Sequence, residues 1–268
     1  MSEIETVSPL SPEQQARLKA IYGRVVEKMK EVVHEFAITQ DELHVAGDYL
    51  NRLGRSGFCR SLIDVNLAMT SVDATGKADG GTRPNLEGPF FREHPLRPDG
   101  VLIDDEEALK GHPRLILTGQ VKEASGAPAP DVVLDVWQAD NEGHYHLESH
   151  NLTGRVQADA EGRYRIETVV PRDYSDHDHD PIGELYRALG RHNRRAAHIH
   201  LKVFRDGEEL LTTQLFIPGS AYLDTDYVEG SVSEDLQIRL TPSSASTQAQ
   251  EVLEATFDIV LPRRAARG

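Results

Sequence analysis

The spacing of apolar residues changes partway along this 268-residue chain, and that change restricts the fold more than any single motif. Leu18, Ile21, Val25, Met29, Val32, Val33 and Phe36 fall three or four positions apart and lay one stripe along a helix. Ser11-Pro12-Glu13 supplies its start, with proline in the first turn. Thr39-Gln40-Asp41-Glu42 has the form of a capping box and predicts a second helix to about Leu53; Phe58 to Met69 predicts a third. From Ser71 to about Asp105 the texture turns to Gly, Pro, Asp and Thr, a connecting loop. Beyond it the period becomes two, at Leu115 and Leu117, Val132 to Val136, Tyr164 to Thr168 and Ile199 to Val203, with further strands over Leu211 to Ile217 and Val252 to Leu261. With no helix expected between strands, a parallel α/β sheet is disfavoured. The reading is an α+β chain: a helical N-terminal domain over residues 1–105, then an antiparallel β-sandwich over 106–268.

Composition narrows the function. A formal charge of −15 argues against nucleic-acid binding, which draws its affinity from Lys and Arg. No apolar run reaches the roughly 18 residues of a membrane span, and Met1 to Pro12 lacks a basic-then-apolar leader, which places the chain in the cytoplasm. A single cysteine, Cys59, leaves any metal to nitrogen and oxygen ligands. P-loop, G-x-G-x-x-G, G-x-S-x-G and H-E-x-x-H motifs are all missing.

The remaining chemistry gathers in the β region. His198 and His200 sit two apart in a strand-like run, so both rings face one side and can converge on one ion. Tyr145 and Tyr174 each follow a strand, and phenolate oxygen is a hard anionic ligand suited to ferric iron. Spacing alone leaves plainer roles open: structural histidines, turn aromatics with wet hydroxyls, a solvated Arg195 and a strand-face Gln214. His144, His146 and His150 flank Tyr145, and if the segment is extended, strand alternation turns the first two away from it. Rival readings are a β-sandwich binding module, with the helices as a docking arm, and a zinc or copper site on the histidines.

Seven separated segments occur in order: Gly88-Pro89-Phe90; Val136-Trp137-Gln138-Ala139 with Gly143 and Tyr145; Gly162-Arg163-Tyr164-Arg165; Val170-Pro171 with Tyr174; Leu189-Gly190-Arg191-His192; Ala197-His198-Ile199-His200; and Thr212-Thr213-Gln214-Leu215. Together they resemble the intradiol ring-cleavage dioxygenases, in particular their catechol 1,2-dioxygenase branch, over residues from about 10 to about 240. The resemblance implies Fe(III) held by Tyr145, Tyr174, His198 and His200, with Tyr174 also taking up a substrate proton. It implies that Arg195 stabilises charge building on the ring, that Gln214 orients near it, and that Asp64, Gly88, Pro89 and Phe90 line the substrate site. A catechol-type diol and O₂ would be the substrates. Cleavage would fall between the two hydroxyl-bearing carbons, giving a cis,cis-muconate that carries both oxygen atoms. The resemblance further implies a homodimer through the helical region, often with a bound phospholipid, and no membrane insertion. Hydroxyquinol and chlorocatechol are the alternative substrates.

Two departures from the family pattern matter. Ala196 stands where proline is usual, which loosens the turn but leaves the ligands in place. After Tyr174, Ser175-Asp176-His177-Asp178-His179-Asp180 replaces a commonly apolar run; it lies near the pocket mouth and favours a substrate with an extra polar group, or it is a solvated loop. The stretch between Tyr145 and Tyr174 is also shorter than in many relatives, so its pocket walls do not transfer.

Overall fold

The computed structural model describes residues 10–75, 80–175 and 177–263. Residues 1–9, used above for localisation, and Asp176 of the acidic run lie outside that set. The chain divides into two compact units between Ser56 and Gly57.

The first unit contains α1 (Pro12–Glu35) and α2 (Gln40–Arg55). Both begin with reciprocal capping boxes, Ser11 with Gln14 and Thr39 with Glu42, so backbone donors that a helix start leaves unpaired are satisfied locally. α1 buries no residue: its stripe stays open, with Leu18, Val25 and Met29 between 51% and 62% exposed.

The second unit opens with α3 (Cys59–Thr75), which runs six residues past the end the periodicity predicts. The division falls well before residue 105 because α3 and the following loop pack with the sheets: Glu229 N–H donates to Val65 O, and Asn85 N–H to Thr212 O. The strands are β1 (Arg114–Lys122), β2 (Val133–Gln138), β3 (Thr153–Gln157), β4 (Arg163–Val169), β5 (His198–Arg205), β6 (Glu208–Phe216), β7 (Thr241–Pro242), β8 (Val252–Thr256) and β9 (Ile259–Val260). One sheet runs β3-β2-β5-β6 and is antiparallel throughout. The other runs β4-β1-β8-β7, with β9 also on β1.

The second sheet corrects the antiparallel expectation, because β8 and β9 both pair parallel to β1. The C-terminal strands return to the first strand of the unit in its own direction, a pairing that local alternation cannot encode. A second correction is α4 (Pro181–Ala188), a helix between β4 and β5; Asp180 caps it by accepting from Ile182 and Gly183 N–H, and Pro181 opens it. One hydrophobic cluster joins the sheets, with Leu115, Leu117 and Ile166 from one and Val136, Ile199 and Leu201 from the other. Among the described residues no helix is long and apolar enough to cross a membrane.

Candidate metal centre

The antiparallel sheet sorts its residues by face. Val136, Leu201 and Thr213 stand in register across β2, β5 and β6, as do Trp137, His200 and Gln214 one position along. Directly opposed residues share a face and neighbours along a strand alternate, so with Val136 and Leu201 in the core, Trp137, His200 and Gln214 lie on the other side. His198, two before His200, joins them and pairs with Phe216. This second face carries the chemistry, covered by the loops that hold Gly88, Tyr145, Tyr174 and Asp226.

His198 and His200 are 2% and 1% exposed. Their Nε2 atoms are 3.0 Å apart, and His200 Nε2 is 3.1 Å from the Tyr145 hydroxyl. The Tyr174 ring meets Tyr145 edge-on at 5.3 Å and His198 at 5.7 Å. Burial, and for His198 the nearby Arg195 charge, push the histidine pKa well below its usual range; at His200, burial, His198 and Arg195 act the same way. Both rings are therefore neutral at physiological pH. His198 Nδ1–H donates to Ala196 O at 2.7 Å, which leaves the Nε2 lone pair facing the cluster. His200 is held by its neighbours' rings: Trp137 stacks on it at 4.7 Å and 7°. Gly88, at φ +77°, passes so close that a Cβ there would stand 3.0 Å from His200 Cε1.

Arg195 is buried beside this cluster. Its Nε donates to both carboxylate oxygens of Asp226, at 3.0 and 3.2 Å, and one Nη donates to Gln214 Oε1 at 2.9 Å. Gln214 in turn donates to Leu86 O. Burial works against the guanidinium charge, but Asp226 and the phenols of Tyr174, Tyr227 and Tyr145 outweigh it and raise the pKa above the ordinary arginine value. A small cavity of about 40 Å³, open to solvent, is lined by Asp64, Gly88, Pro89, Tyr174, His177 and Arg195, among others.

The residues singled out from sequence thus fall into three places. Tyr145, Tyr174, His198 and His200 converge, with Arg195 and Gln214 joined to each other alongside them. Asp64, Gly88 and Pro89 line the cavity, and Asp64 also meets Arg60 at 3.4 Å. Phe90 packs on the tyrosines, 4.4 Å from Tyr145 and 6.4 Å from Tyr174. His146 pairs with Asp140 and His144 is exposed; the segment around Tyr145 is an irregular loop and not the extended strand expected. Sequence reading missed Asp173, Asp226 and Tyr227, and read His177 only as part of the acidic run near the pocket. The first two immediately precede Tyr174 and Tyr227, a signal hidden among 44 acidic residues.

A donor set of two neutral imidazoles and two phenols suits a hard trivalent ion, and no three His, Cys, Asp or Glu side chains converge elsewhere among the described residues. The comparisons with known proteins give the family. Residues 86–263 match the family model described as Dioxygenase, and residues 15–65 the model for the catechol dioxygenase N terminus. The chain belongs to the intradiol ring-cleavage dioxygenases. Chlorocatechol 1,2-dioxygenase of Pseudomonas sp. strain P51 is 31% identical over 241 residues, 88% of this chain and 94% of that one. The 6-chlorohydroxyquinol 1,2-dioxygenase of Cupriavidus pinatubonensis is 32% identical, covering 84% and 85%. The crystal structure of 3-chlorocatechol 1,2-dioxygenase from Rhodococcus opacus 1CP superposes with a TM-score of 0.84 at 25% identity, over 92% of this chain and 98% of that one. This intradiol dioxygenase is therefore an oxidoreductase of a family that uses non-haem iron, and the binding-module reading falls away.

Proposed function

We propose that Tyr145, Tyr174, His198 and His200 hold a ferric ion and that the chain cleaves a catechol-type diol with O₂ to a cis,cis-muconate. What carries the reading is the meeting of donor atoms from two remote parts of the chain: two imidazole Nε2 atoms of β5, 3.0 Å apart, and a phenol oxygen 3.1 Å from one of them. Ferric iron in such a set supplies Lewis acidity and a template for both diol oxygens.

The side chains do the rest. The neutral histidines present fixed lone pairs, His198 through its bond to Ala196 and His200 through the stacked indole. Tyr174 Oη takes up one of the protons a diol releases as it binds through both oxygens. Arg195, kept charged by Asp226 and aimed by Gln214, faces the negative charge that develops on the ring. Phe90 packs the tyrosine rings in place, while Gly88, Pro89 and Asp64 bound the substrate. The open stripe of α1 supports a homodimer built through the helices, with a phospholipid between them, on a β-sandwich catalytic domain. The cytoplasm is the compartment that fits.

The test is spectroscopic. Purified protein should be red-brown from phenolate-to-iron charge transfer, and anaerobic catechol should shift that band. A preparation that stays colourless after ferric iron is added would overturn the ligand set, as would undiminished turnover in Tyr174→Phe or His200→Ala. Arg195→Ala should keep its iron and lose about 10²-fold or more in kcat.

A further inference from the structure

Within the acidic run after Tyr174, Asp178 and His179 are exposed but His177 is not. His177 is 4% exposed and forms part of the cavity wall with Tyr174, Arg195 and Asp64. Its ring is fixed from several sides. Phe58 meets it edge-on at 5.3 Å and Tyr227 at 6.1 Å. Its Nδ1 lies 2.5 Å from Asp180 Oδ2, while the other oxygen of that carboxylate caps α4 through Ile182 and Gly183 N–H. The backbone is equally constrained: a Cβ on Gly183 would stand only 1.8 Å from His177 O, so the first turn of α4 is pressed against this residue. Arg187 donates to Asp178 O from the same helix. An imidazole with one nitrogen committed to a helix-capping carboxylate has its orientation set before any ligand arrives.

We infer that His177 is a specificity-determining residue that hydrogen-bonds a third hydroxyl on the diol ring. This rests on the reading of the cavity as the ring-cleavage site and deepens it. A hydroxyl can donate to or accept from an imidazole, whereas chlorine is a poor partner for either role. Asp64 and Ser61 line the same cavity, so its polar wall extends onto α3. The Asp64 carboxylate also disfavours a ring that carries a second carboxylate. A buried polar wall discriminates because an analogue without the hydroxyl leaves that wall less well paired.

The experiment compares kcat/KM for 1,2,4-trihydroxybenzene, catechol and 4-chlorocatechol in the iron-loaded wild type, His177→Leu and His177→Gln. The wild type should prefer the trihydroxylated ring. His177→Leu should lower the trihydroxybenzene-to-chlorocatechol ratio about tenfold or more, and His177→Gln, which keeps a hydrogen-bonding end, should hold it within about threefold. An unchanged ratio in His177→Leu overturns the inference while leaving ring cleavage intact. If that variant does not fold or load iron, the wild type decides alone: a kcat/KM for catechol or 4-chlorocatechol at or above that for trihydroxybenzene overturns it. Iron-loaded wild type that cleaves none of the three overturns the ring-cleavage reading as well.

Discussion

Tyr145 and Tyr174 reach the same pair of imidazoles from loops whose anchoring aspartates differ, Asp140 binding locally and Asp173 at a distance. The turn that leads into Tyr145 is closed around one local carboxylate, Asp140. Asp140 Oδ1 accepts from Glu142 and His144 N–H at 2.8 and 3.0 Å, Oδ2 meets His146 Nε2 at 3.1 Å, and Asp140 N–H donates to His144 O. The partners of the Asp140 side chain all lie within six residues, while Arg92 donates to His146 O and Leu147 O and Arg172 N–H to Asp140 O from farther along the chain. The Tyr174 segment is instead tied to remote chain. Tyr174 and Arg195 exchange backbone hydrogen bonds, and Asp173 accepts from Ala197 and Ala221 N–H at 2.9 and 3.1 Å and from the Ser220 hydroxyl. The turn before the first phenol is set largely by local bonds to Asp140, with Arg92 and Phe90 bracing the residues around it; the second is in place only once β5 and the loop beyond β6 are formed. Their exposure follows: Tyr174 is 5% exposed and Tyr145 half-buried.

Breaking the remote anchor should therefore cost most. Asp173→Ala strips acceptors from Ala197 N–H, Ala221 N–H and the Ser220 hydroxyl, beside the strand that carries both histidines. A loss of about 2 to 4 kcal/mol is expected, together with reduced iron content, read by denaturant unfolding and metal analysis. A wild-type midpoint with full iron would show that the remote ties are dispensable. Next comes the point where the loops touch. Gly143 has φ +88°, and a Cβ there would stand 3.0 Å from both Asp173 O and Tyr174 Cβ. Gly143→Ala should cost about 1 to 2 kcal/mol. Combined with Asp173→Ala, the effects should not add, because the first substitution acts on the segment the second has already loosened. Strict additivity would mean the two loops are mechanically separate.

The same contrast explains what could be read in the sequence. α1 and α2 were legible because caps and stripes are local: Ser11 with Gln14, Thr39 with Glu42, and apolar residues at helical spacing. β1, β2, β4, β5 and β6 were legible from alternation, and His198 and His200 share a face for the same reason. The parallel pairing of β8 with β1 joins Arg114 to Val252, and nothing near either residue announces it. α4 was overlooked although Asp180-Pro181 is a good helix start, because eight residues in a charged stretch show too little periodicity. Asp173 and Asp226 escaped notice for a related reason: each anchors the site through partners some 20 to 50 residues away in sequence, as Asp173 does with Ala197 and Ala221. His177 was read within an acidic run near the pocket, but its burial depends on Phe58 and Tyr227, which no spacing connects to it.

The smallest effect is expected from the local loop, and pH isolates it. Burial raises the Asp140 pKa, but the His144 and Glu142 N–H groups, with the nearby His146 and His144 charges, outweigh it and hold the carboxyl below its ordinary 3.8. A carboxyl depressed in the folded state contributes stability that is fully present above the unfolded value and is lost as pH falls through the folded one. Asp140→Asn retains a side-chain oxygen for the Glu142 and His144 N–H groups but removes the charge. The wild type should therefore exceed the variant by about 1 kcal/mol near pH 6, and the gap should close below pH 3.8. Iron should stay bound to the variant at neutral pH, since the loop can refold around the amide without disturbing β5. Parallel stability curves across pH 3 to 6 would break the account of this loop as charge-closed and leave its geometry to Gly143 and the packing of Phe90 on Tyr145.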